Sequence, residues 1–449
     1  MSLKGFFRIL LLIGGYFFLL LGVYSGILLV TGGLFTVVEA LVVCALPFIA
    51  MYSFIIYTII IIAMVRLHRK KTKIWILPII LGIIVLGFNS LPFLGIRTTI
   101  SQGDAQFAEV FGPNYIDQIP DNLTSKFKDQ PFNLWDMYNN HEIYECNITY
   151  DCGPYLTVPG YNDKFYFDYY CPTAGDGPFP TIINIHGGAW VLGNKGIENR
   201  PMASRYLAHQ GYAVFDIQYG LGRFPDFPEI DRAFAWVQNF LGRELLNKSY
   251  TLSEMAEQII GNFTDYLVAH TAEYKVDTNR IWVTGGSAGA HLAGLFLGYN
   301  STYKHLFNDT LKLKGLILFY CPANLTHLFN YHADDSGAEF FNIDLGYFFA
   351  RVADGTPQQN ATLFRNLSPV NLADSSAPPC LILHGQVDKM APYIEAEQLY
   401  DKLQAVTNHT IFLTFPFQGH AFDYVFNSPG GQVSMYYMER FLAATQYCI

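Results

Sequence analysis

The segment Thr284-Gly-Gly-Ser-Ala-Gly289 constrains the fold more than any other part of the chain. It places Gly-x-Ser-x-Gly directly after the apolar run 280–283 and before the helix-forming residues 290–297. A serine in this context is typical of a sharp turn between a strand and a helix, the nucleophile elbow. Glycine suits positions 285 and 289, two residues before and after the serine, because a side chain at either position would collide with the neighbouring strand or helix. The pentapeptide alone is equally compatible with a glycine-rich turn that holds an incidental serine.

A second motif, about a hundred residues upstream, also follows a predicted strand. Residues 180–185 are apolar enough for a buried strand, and His186-Gly-Gly-Ala-Trp190 comes directly after them. Backbone N–H groups at such a strand end can stabilise the oxyanion that forms during acyl transfer. An ordinary strand-ending turn is the alternative. The sequence predicts an oxyanion hole at Gly187, Gly188, Ala189 and Ala288, with the last three as the expected N–H donors.

Two later strand ends supply a candidate acid and a candidate base. The apolar run 379–383 leads to Asp388, and the run 411–415 leads to His420. A carboxylate at a strand end can hold an imidazole in the useful tautomer, and the imidazole can then take a proton from a serine. Asp388 alone could be a turn aspartate, and the chain has 12 histidines. Together the motifs predict a catalytic triad of Ser287, Asp388 and His420.

The order Ser287, Asp388, His420 resembles that of the α/β-hydrolases. The motifs cover about the last three hundred residues and resemble the branch that contains hormone-sensitive-lipase-like enzymes, isoprenylcysteine methylesterases and bacterial acetylesterases. Residues 227–237 and 274–281 are further matches. The loop His-Gly-Gly-Ala-Trp departs from the His-Gly-Gly-Gly of hormone-sensitive-lipase relatives and is closer to the methylesterase and acetylesterase forms.

Alternating strands and helices predict an α/β fold, with a mostly parallel sheet covered by helices on both faces. The resemblance implies a serine esterase that needs no cofactor, and no metal-ligand cluster stands out in the sequence. The expected reaction is hydrolysis of a carboxylic ester through an acyl-enzyme. Amide or formamide hydrolysis on the same triad is an alternative, as is a non-catalytic hydrolase-fold ectodomain that serves in binding. The apolar runs 9–30, 40–65 and 74–96 could instead carry the main task as membrane helices, such as transport. Three spans with one acidic residue make a poor transport pathway, although an oligomer could assemble one.

The aromatic-rich segment 324–367 interrupts the alternation of strands and helices. In α/β-hydrolases an excursion at this point commonly forms a lid, so the resemblance suggests an acyl or alcohol pocket there. A helical surface elaboration with its own small core is the alternative. The candidate pocket residues are Trp190, Phe340 and Phe341.

Three uncharged apolar runs, 9–30, 40–65 and 74–96, precede this region. Each is long enough to cross a hydrocarbon core of about 30 Å as a helix. A cleaved signal peptide is the alternative for the first run, but its apolar stretch is long for that class. The fold expected is therefore an α/β-hydrolase preceded by three transmembrane helices, in an integral membrane protein whose partners are the lipid bilayer and a small-molecule or lipid ester.

The predicted domain boundaries follow from these runs. Residues 1–98 form a three-span anchor, residues 99–145 a connecting segment, and residues 146–449 the hydrolase domain with the possible lid at 324–367.

Basic residues predict the orientation in the membrane. The cluster 66–73 separates the second and third runs, and by the positive-inside rule it faces the cytoplasm. Lys4 and Arg8 place the N-terminus on the same side. Three spans then leave the hydrolase domain on the luminal or extracellular side.

Composition after residue 100 agrees with a non-cytosolic, glycosylated domain. Ten Asn-x-Ser/Thr sequons lie there and suggest N-glycosylation, although an asparagine-rich composition would also raise their number. The sequons begin at Asn122, Asn147, Asn247, Asn262, Asn300, Asn308, Asn324, Asn360, Asn366 and Asn408. The same region has 20 basic and 36 acidic residues, since residues 1–100 hold 8 of the 28 Lys and Arg and 1 of the 37 acids. Its net charge of −16 disfavours nucleic acid as a partner.

Six cysteines also lie after residue 100. Cys146, Cys152 and Cys171 flank two predicted early strands, and one disulfide is expected among them because the compartment is predicted to be oxidising.

Overall fold

The computed structural model describes residues 3–32, 37–68, 73–139, 143–197, 199–224, 226–243, 246–334, 339–340 and 343–449. Eight of its strands form one sheet in the order β1-β2-β4-β3-β5-β6-β9-β10, and β7 pairs with β8 in a separate hairpin. The strands are β1 Asn147–Thr157, β2 Lys164–Cys171, β3 Phe179–Ile185, β4 Ala213–Ile217, β5 Val276–Gly286, β6 Leu313–Phe319, β7 Glu339–Phe340, β8 Ile343–Asp344, β9 Cys380–Gly385 and β10 Thr410–Phe415.

The sheet is mixed. Strand β2 pairs antiparallel with both β1 and β4, and every other neighbouring pair in the sheet is parallel. All residues of β9 and β10 are buried, as the continuous apolar runs predict for parallel strands covered on both faces. The prediction of an α/β-hydrolase fold is confirmed by this sheet and by the helices that cover it.

Sixteen α-helices accompany the strands in the described part of the chain. They are α1 Leu3–Thr31, α2 Val37–Leu67, α3 Ile76–Phe111, α4 Asp121–Thr124, α5 Asp136–Asn139, α6 Arg200–Gln210, α7 Pro228–Phe240, α8 Leu252–Ala256, α9 Thr264–Ala269, α10 Ala288–Gly294, α11 Leu325–Asp334, α12 Leu345–Ala353, α13 Ala361–Asn366, α14 Pro369–Leu372, α15 Tyr393–Gln404 and α16 Pro429–Tyr447. A π-helical turn, Glu257–Phe263, joins α8 to α9.

The two faces of the sheet carry separate apolar cores. Successive residues of a strand point to opposite faces. Ile183 and Val283 therefore join the core on one face, and Ile182 and Trp282 join the core on the other. The second core also contains Phe107 of α3, which packs against Tyr437 of α16 with ring centroids 5.3 Å apart.

The N-terminal helices pack on one another through glycines. A Cβ at Gly22 of α1 would lie 2.7 Å from the Tyr57 ring of α2 and 2.8 Å from Val85 of α3. A Cβ at Gly26 would lie 2.3 Å from Phe88 of α3. Small residues let apolar helices approach this closely.

Two of these segments, Leu3–Thr31 and Lys73–Phe111, are long and apolar enough to cross a membrane. In the described part of α2, the apolar segment is the shorter stretch Tyr52–Leu67. The sequence predicted three spans. The structure supports two candidates, and the third stays a prediction.

Helix α3 lies along the outer edge of the sheet, against β10. The Gln106 side chain accepts a hydrogen bond from the N–H of Phe412 (2.8 Å) and donates one to the C=O of the same residue (2.9 Å). Gln102 accepts from the N–H of Thr414 (3.1 Å), and the Thr99 hydroxyl donates to the C=O of Thr414 (2.7 Å). Helix side chains thus supply the hydrogen bonds that another strand would supply at this edge.

The predicted disulfide is wrong for this structure. Every cysteine that the structure describes after residue 100 is free, and these are Cys146, Cys152, Cys171, Cys321, Cys380 and Cys448. The strand register explains part of this. Cys171 lies opposite Asn147 and Cys152 lies opposite Phe167, so Cys152 and Cys171 are separated along the ladder. Cys152 is buried, and its Sγ donates a hydrogen bond to the Thr149 carbonyl instead.

Candidate active site

Ser287 lies in the turn between β5 and α10. Its backbone has φ 56° and ψ −124°, a conformation that costs energy for a residue with a side chain. The neighbouring glycines permit this turn. A Cβ at Gly285 would lie 2.3 Å from the backbone of Gly289, and one at Gly289 would lie 2.1 Å from the Ile185 carbonyl oxygen. The structure therefore has the strained elbow that the motif predicts, with Ser287 at the carboxyl end of the central strand.

Ser287, His420 and Asp388 form one chain of hydrogen bonds. Ser287 Oγ lies 2.8 Å from His420 Nε2, and His420 Nδ1 lies 2.7 Å from Asp388 Oδ2. Each residue follows a different strand of the sheet, β5, β9 or β10. Because these strands are parallel, their carboxyl ends meet at one edge, and residues distant in sequence come together there.

The carboxylate of Asp388 is buried and well supplied with donors. Its Oδ1 accepts hydrogen bonds from the N–H groups of Met390 and Ala391, both at 2.9 Å. His384 Nε2 lies 3.3 Å from Oδ2. Burial alone would raise the pKa of Asp388, but the neighbouring His420 and His384 more than offset it and hold this pKa below its ordinary value. The carboxylate therefore stays ionised beside the imidazole.

The loop after β3 lies beside the serine. Its residues Gly188, Ala189 and Trp190 have φ of 115°, 51° and 63°. A Cβ at Gly188 would lie 2.0 Å from the Leu192 carbonyl oxygen, so this position requires glycine. Within the described part of the chain, the N–H groups of Gly188 and Ala189 donate to no backbone or side-chain oxygen. A Cβ at Gly289 would also lie 2.5 Å from the His186 carbonyl oxygen, so the loop begins against the elbow.

The Trp190 side chain is only 2% exposed and points under the elbow. Its Nε1–H donates to His291 Nδ1 at 3.2 Å, and His291 Nε2 donates to the Leu367 carbonyl at 2.7 Å. The structure thus places Trp190 as a support of α10, and its ring meets Phe349 of α12 at 6.0 Å. The other two candidate pocket residues fall outside the description, since it includes neither Phe341 nor the side chain of Phe340.

Sequence reasoning missed Tyr320, which follows β6. Its ring centroid lies 4.6 Å from that of His420, and its backbone has φ 40°. The Tyr320 hydroxyl donates to Asp423 Oδ1 at 2.8 Å, and Asn199 also bonds to Asp423. Asp423 therefore holds Tyr320 against the imidazole. The only signal in the sequence was the position of Tyr320 directly after an apolar run.

Several known proteins resemble this chain in sequence. Residues 167–239 and 255–403 match the BD-FAE family model. The probable carboxylic ester hydrolase LipM of Mycobacterium tuberculosis is 27% identical over 282 residues, which are 60% of this chain and 56% of that protein. The isoprenylcysteine alpha-carbonyl methylesterase ICME of Arabidopsis thaliana is 24% identical over 277 residues, 56% of this chain and 55% of its own.

A solved structure, the propionate-bound thermophilic esterase from the Planctomycetes species Thermogutta terrifontis, aligns over 67% of this chain and 93% of its own at 19% identity and a TM-score of 0.47. The chain spans about half the length of the curated relatives it matches. The strand order and the nucleophile elbow give the chain an α/β-hydrolase fold, and relatives that it matches over about half of its length are named ester hydrolases.

Proposed function

We propose that this protein is a membrane-anchored serine hydrolase that cleaves carboxylic esters. The observation that carries the proposal is the unbroken hydrogen-bond chain from Asp388 through His420 to Ser287 Oγ. This chain ends beside N–H groups that have no partner among the described residues. Nucleophile, base, orienting acid and oxyanion donors are the four parts that acyl transfer requires.

The mechanism follows from these positions. His420 Nε2 accepts the Ser287 proton while Oγ attacks the ester carbonyl, and Asp388 stabilises the imidazolium that forms. The N–H groups of Gly188, Ala189 and Ala288 are proposed to bind the oxyanion, with Gly187 allowing the loop to approach. His420 then protonates the leaving alcohol, activates a water molecule, and releases the acid from the acyl-enzyme.

We further propose that the apolar N-terminal helices anchor the enzyme in a bilayer. Only 11% and 17% of the most apolar stretches of Leu3–Thr31 and Lys73–Phe111 are buried within the protein, so their side chains need another apolar environment. The positive-inside rule then favours a cytoplasmic N-terminus and a luminal or extracellular hydrolase domain.

Ser287→Ala tests the chemistry. We expect this variant to fold and insert as the wild type does but to lose both p-nitrophenyl ester hydrolysis and labelling by a fluorophosphonate probe. Ser301→Ala, at an exposed serine, is the matched control and should keep both activities. Labelling that persists in Ser287→Ala would reject the assignment. Comparing ester with anilide turnover on the wild type separates esterase from amidase activity.

A further inference from the structure

The direction in which α3 crosses β10 determines which edge of the sheet the apolar half of this helix lies beside. A Cβ at Gly95 would lie 2.6 Å from the Pro416 carbonyl oxygen, just beyond the carboxyl end of β10. Gln106, further along α3, bonds to Phe412 nearer the start of the strand. The helix therefore runs antiparallel to β10. Its apolar first half, residues 76–94, projects beyond the carboxyl ends of the strands, the edge at which Ser287 lies.

Helix α1 ends at the same edge. A Cβ at Gly32, the residue after α1, would lie 2.3 Å from the Val387 carbonyl oxygen and 3.2 Å from Lys389 Cε. These two residues flank Asp388 in the loop after β9. Both apolar helices thus meet the hydrolase domain beside its catalytic loops.

Exposed aromatic side chains also lie at the carboxyl edge of the sheet, on α7 and away from α3. Trp236 and Phe240 on α7 are 69% and 79% exposed, and their rings stack 6.0 Å apart. Between them, Gln238 accepts a hydrogen bond from the Gly193 N–H in the loop after β3, so α7 also lies at the carboxyl ends of the strands. Trp and other amphipathic aromatic residues are enriched where proteins meet the interface of a bilayer.

We propose that the carboxyl edge of the sheet faces the bilayer surface and that Trp236 and Phe240 rest on the lipid. The occupant of this face is the membrane itself, because the two apolar helices meet the hydrolase domain at the same edge of the sheet. The substrate is then a membrane-resident ester with a long hydrocarbon chain, which reaches Ser287 from the lipid side. The substrate class rests on the proposed esterase function, whereas the orientation does not.

The first test compares two esters on the full chain held in phosphatidylcholine nanodiscs. The variant Trp236→Ser/Phe240→Ser should hydrolyse water-soluble p-nitrophenyl acetate within about twofold of the wild type. It should lose at least about fivefold on bilayer-embedded p-nitrophenyl palmitate, because the apolar helices still hold the variant in the bilayer but its active-site edge loses apolar contact with the lipid. Tyr447→Ser is the matched control, since Tyr447 is 41% exposed and lies at the far end of α16, beside the start of the strands. It should leave both rates unchanged.

The second test measures orientation without using activity. The fluorescence of Trp236 is obtained as the difference between the wild type and Trp236→Phe, and lipids brominated near the top of their acyl chains should quench it. The fluorescence that Tyr447→Trp adds to the wild type should not be quenched by these lipids. Equal losses on both esters, or equal quenching at the two positions, would overturn the inference. A wild type that hydrolyses neither ester would instead remove the proposed function, and the quenching would still decide the orientation.

Discussion

At the scale of single residues, burial keeps the His291 side chain, on the helix behind Ser287, in its neutral form. The neutral His291 ring satisfies both nitrogens, since Nδ1 accepts from Trp190 and Nε2 donates to Leu367. Burial lowers the pKa of His291 to about 4, below its ordinary value of 6.5. A proton on Nδ1 would displace the Trp190 hydrogen bond beneath the elbow.

The folded protein should therefore lose stability on acidification. The folded pKa of His291 lies below the unfolded one, so as the pH falls from about 6.5 to about 4 the unfolded state takes up a proton first. We expect this residue to lower the free energy of unfolding by about 3 kcal/mol across that window. Urea denaturation of the wild type and of His291→Gln, compared from pH 7 to pH 4, measures it. A wild type and variant with the same pH slope would contradict the expectation.

The sequence predicted the site residues that lie at the ends of strands. It did not predict the roles of residues that are positioned by tertiary contacts. Ser287, Asp388 and His420 each come soon after an apolar run, and parallel strands bring such positions to one edge. Tyr320 also follows an apolar run. Its contact with His420, however, depends on a positive φ and on Asp423, neither of which a pattern of residues reveals. Trp190 was predicted to line a pocket, but His291 and Phe349 bury it.

At the scale of elements, α3 differs most from its sequence-based description. The apolar run ends at Ile96, and the sequence therefore placed a boundary between residues 98 and 99. The helix continues to Phe111, because its polar second half packs on β10. Hydropathy predicts where a helix leaves an apolar environment. The end of this helix depends instead on partners in β10, which lie 306 and 315 residues away in sequence.

Gln106→Leu tests the role of α3 at the sheet edge. The substitution leaves the N–H and C=O of Phe412 without their partners, and we expect it to lower the free energy of unfolding by about 1–3 kcal/mol. Amide exchange at Phe412, followed by mass spectrometry of a peptide that covers β10, should become faster. Glu109→Ala, at an exposed position on the same helix, is the control and should leave the exchange unchanged. An unaltered β10 in Gln106→Leu would show that the other strand contacts suffice.

At the scale of the whole molecule, the proposed topology places the hydrolase domain where oligosaccharyltransferase acts. None of the ten sequon asparagines is buried. Seven of them are exposed, and Asn308, Asn324 and Asn366 are partly buried. Composition suggested this side of the membrane, and the structure adds that the acceptor side chains reach solvent.

Enzymatic removal of N-glycans should therefore increase the gel mobility of the protein expressed in its own secretory pathway. The expected shift corresponds to several glycans, because several sequons are accessible. Asn360→Gln, at an exposed helix N-cap, should remove one step of the shift. Protein that carries no glycan, with its hydrolase domain digested by protease added to the cytosolic side, would contradict the proposed topology.

The hydrogen bonds from α3 side chains to the backbone of β10 affect whether a strand from another molecule can pair with this sheet. An uncovered edge strand offers a row of free N–H and C=O groups, and these can template the addition of a foreign strand and so aggregation. Helix α3 occupies that row at β10. The opposite edge, β1, is interrupted by register shifts and by Pro154, which has no N–H to offer. Neither border of the sheet is a regular template, so copies of the protein can be crowded together without their sheets joining edge to edge.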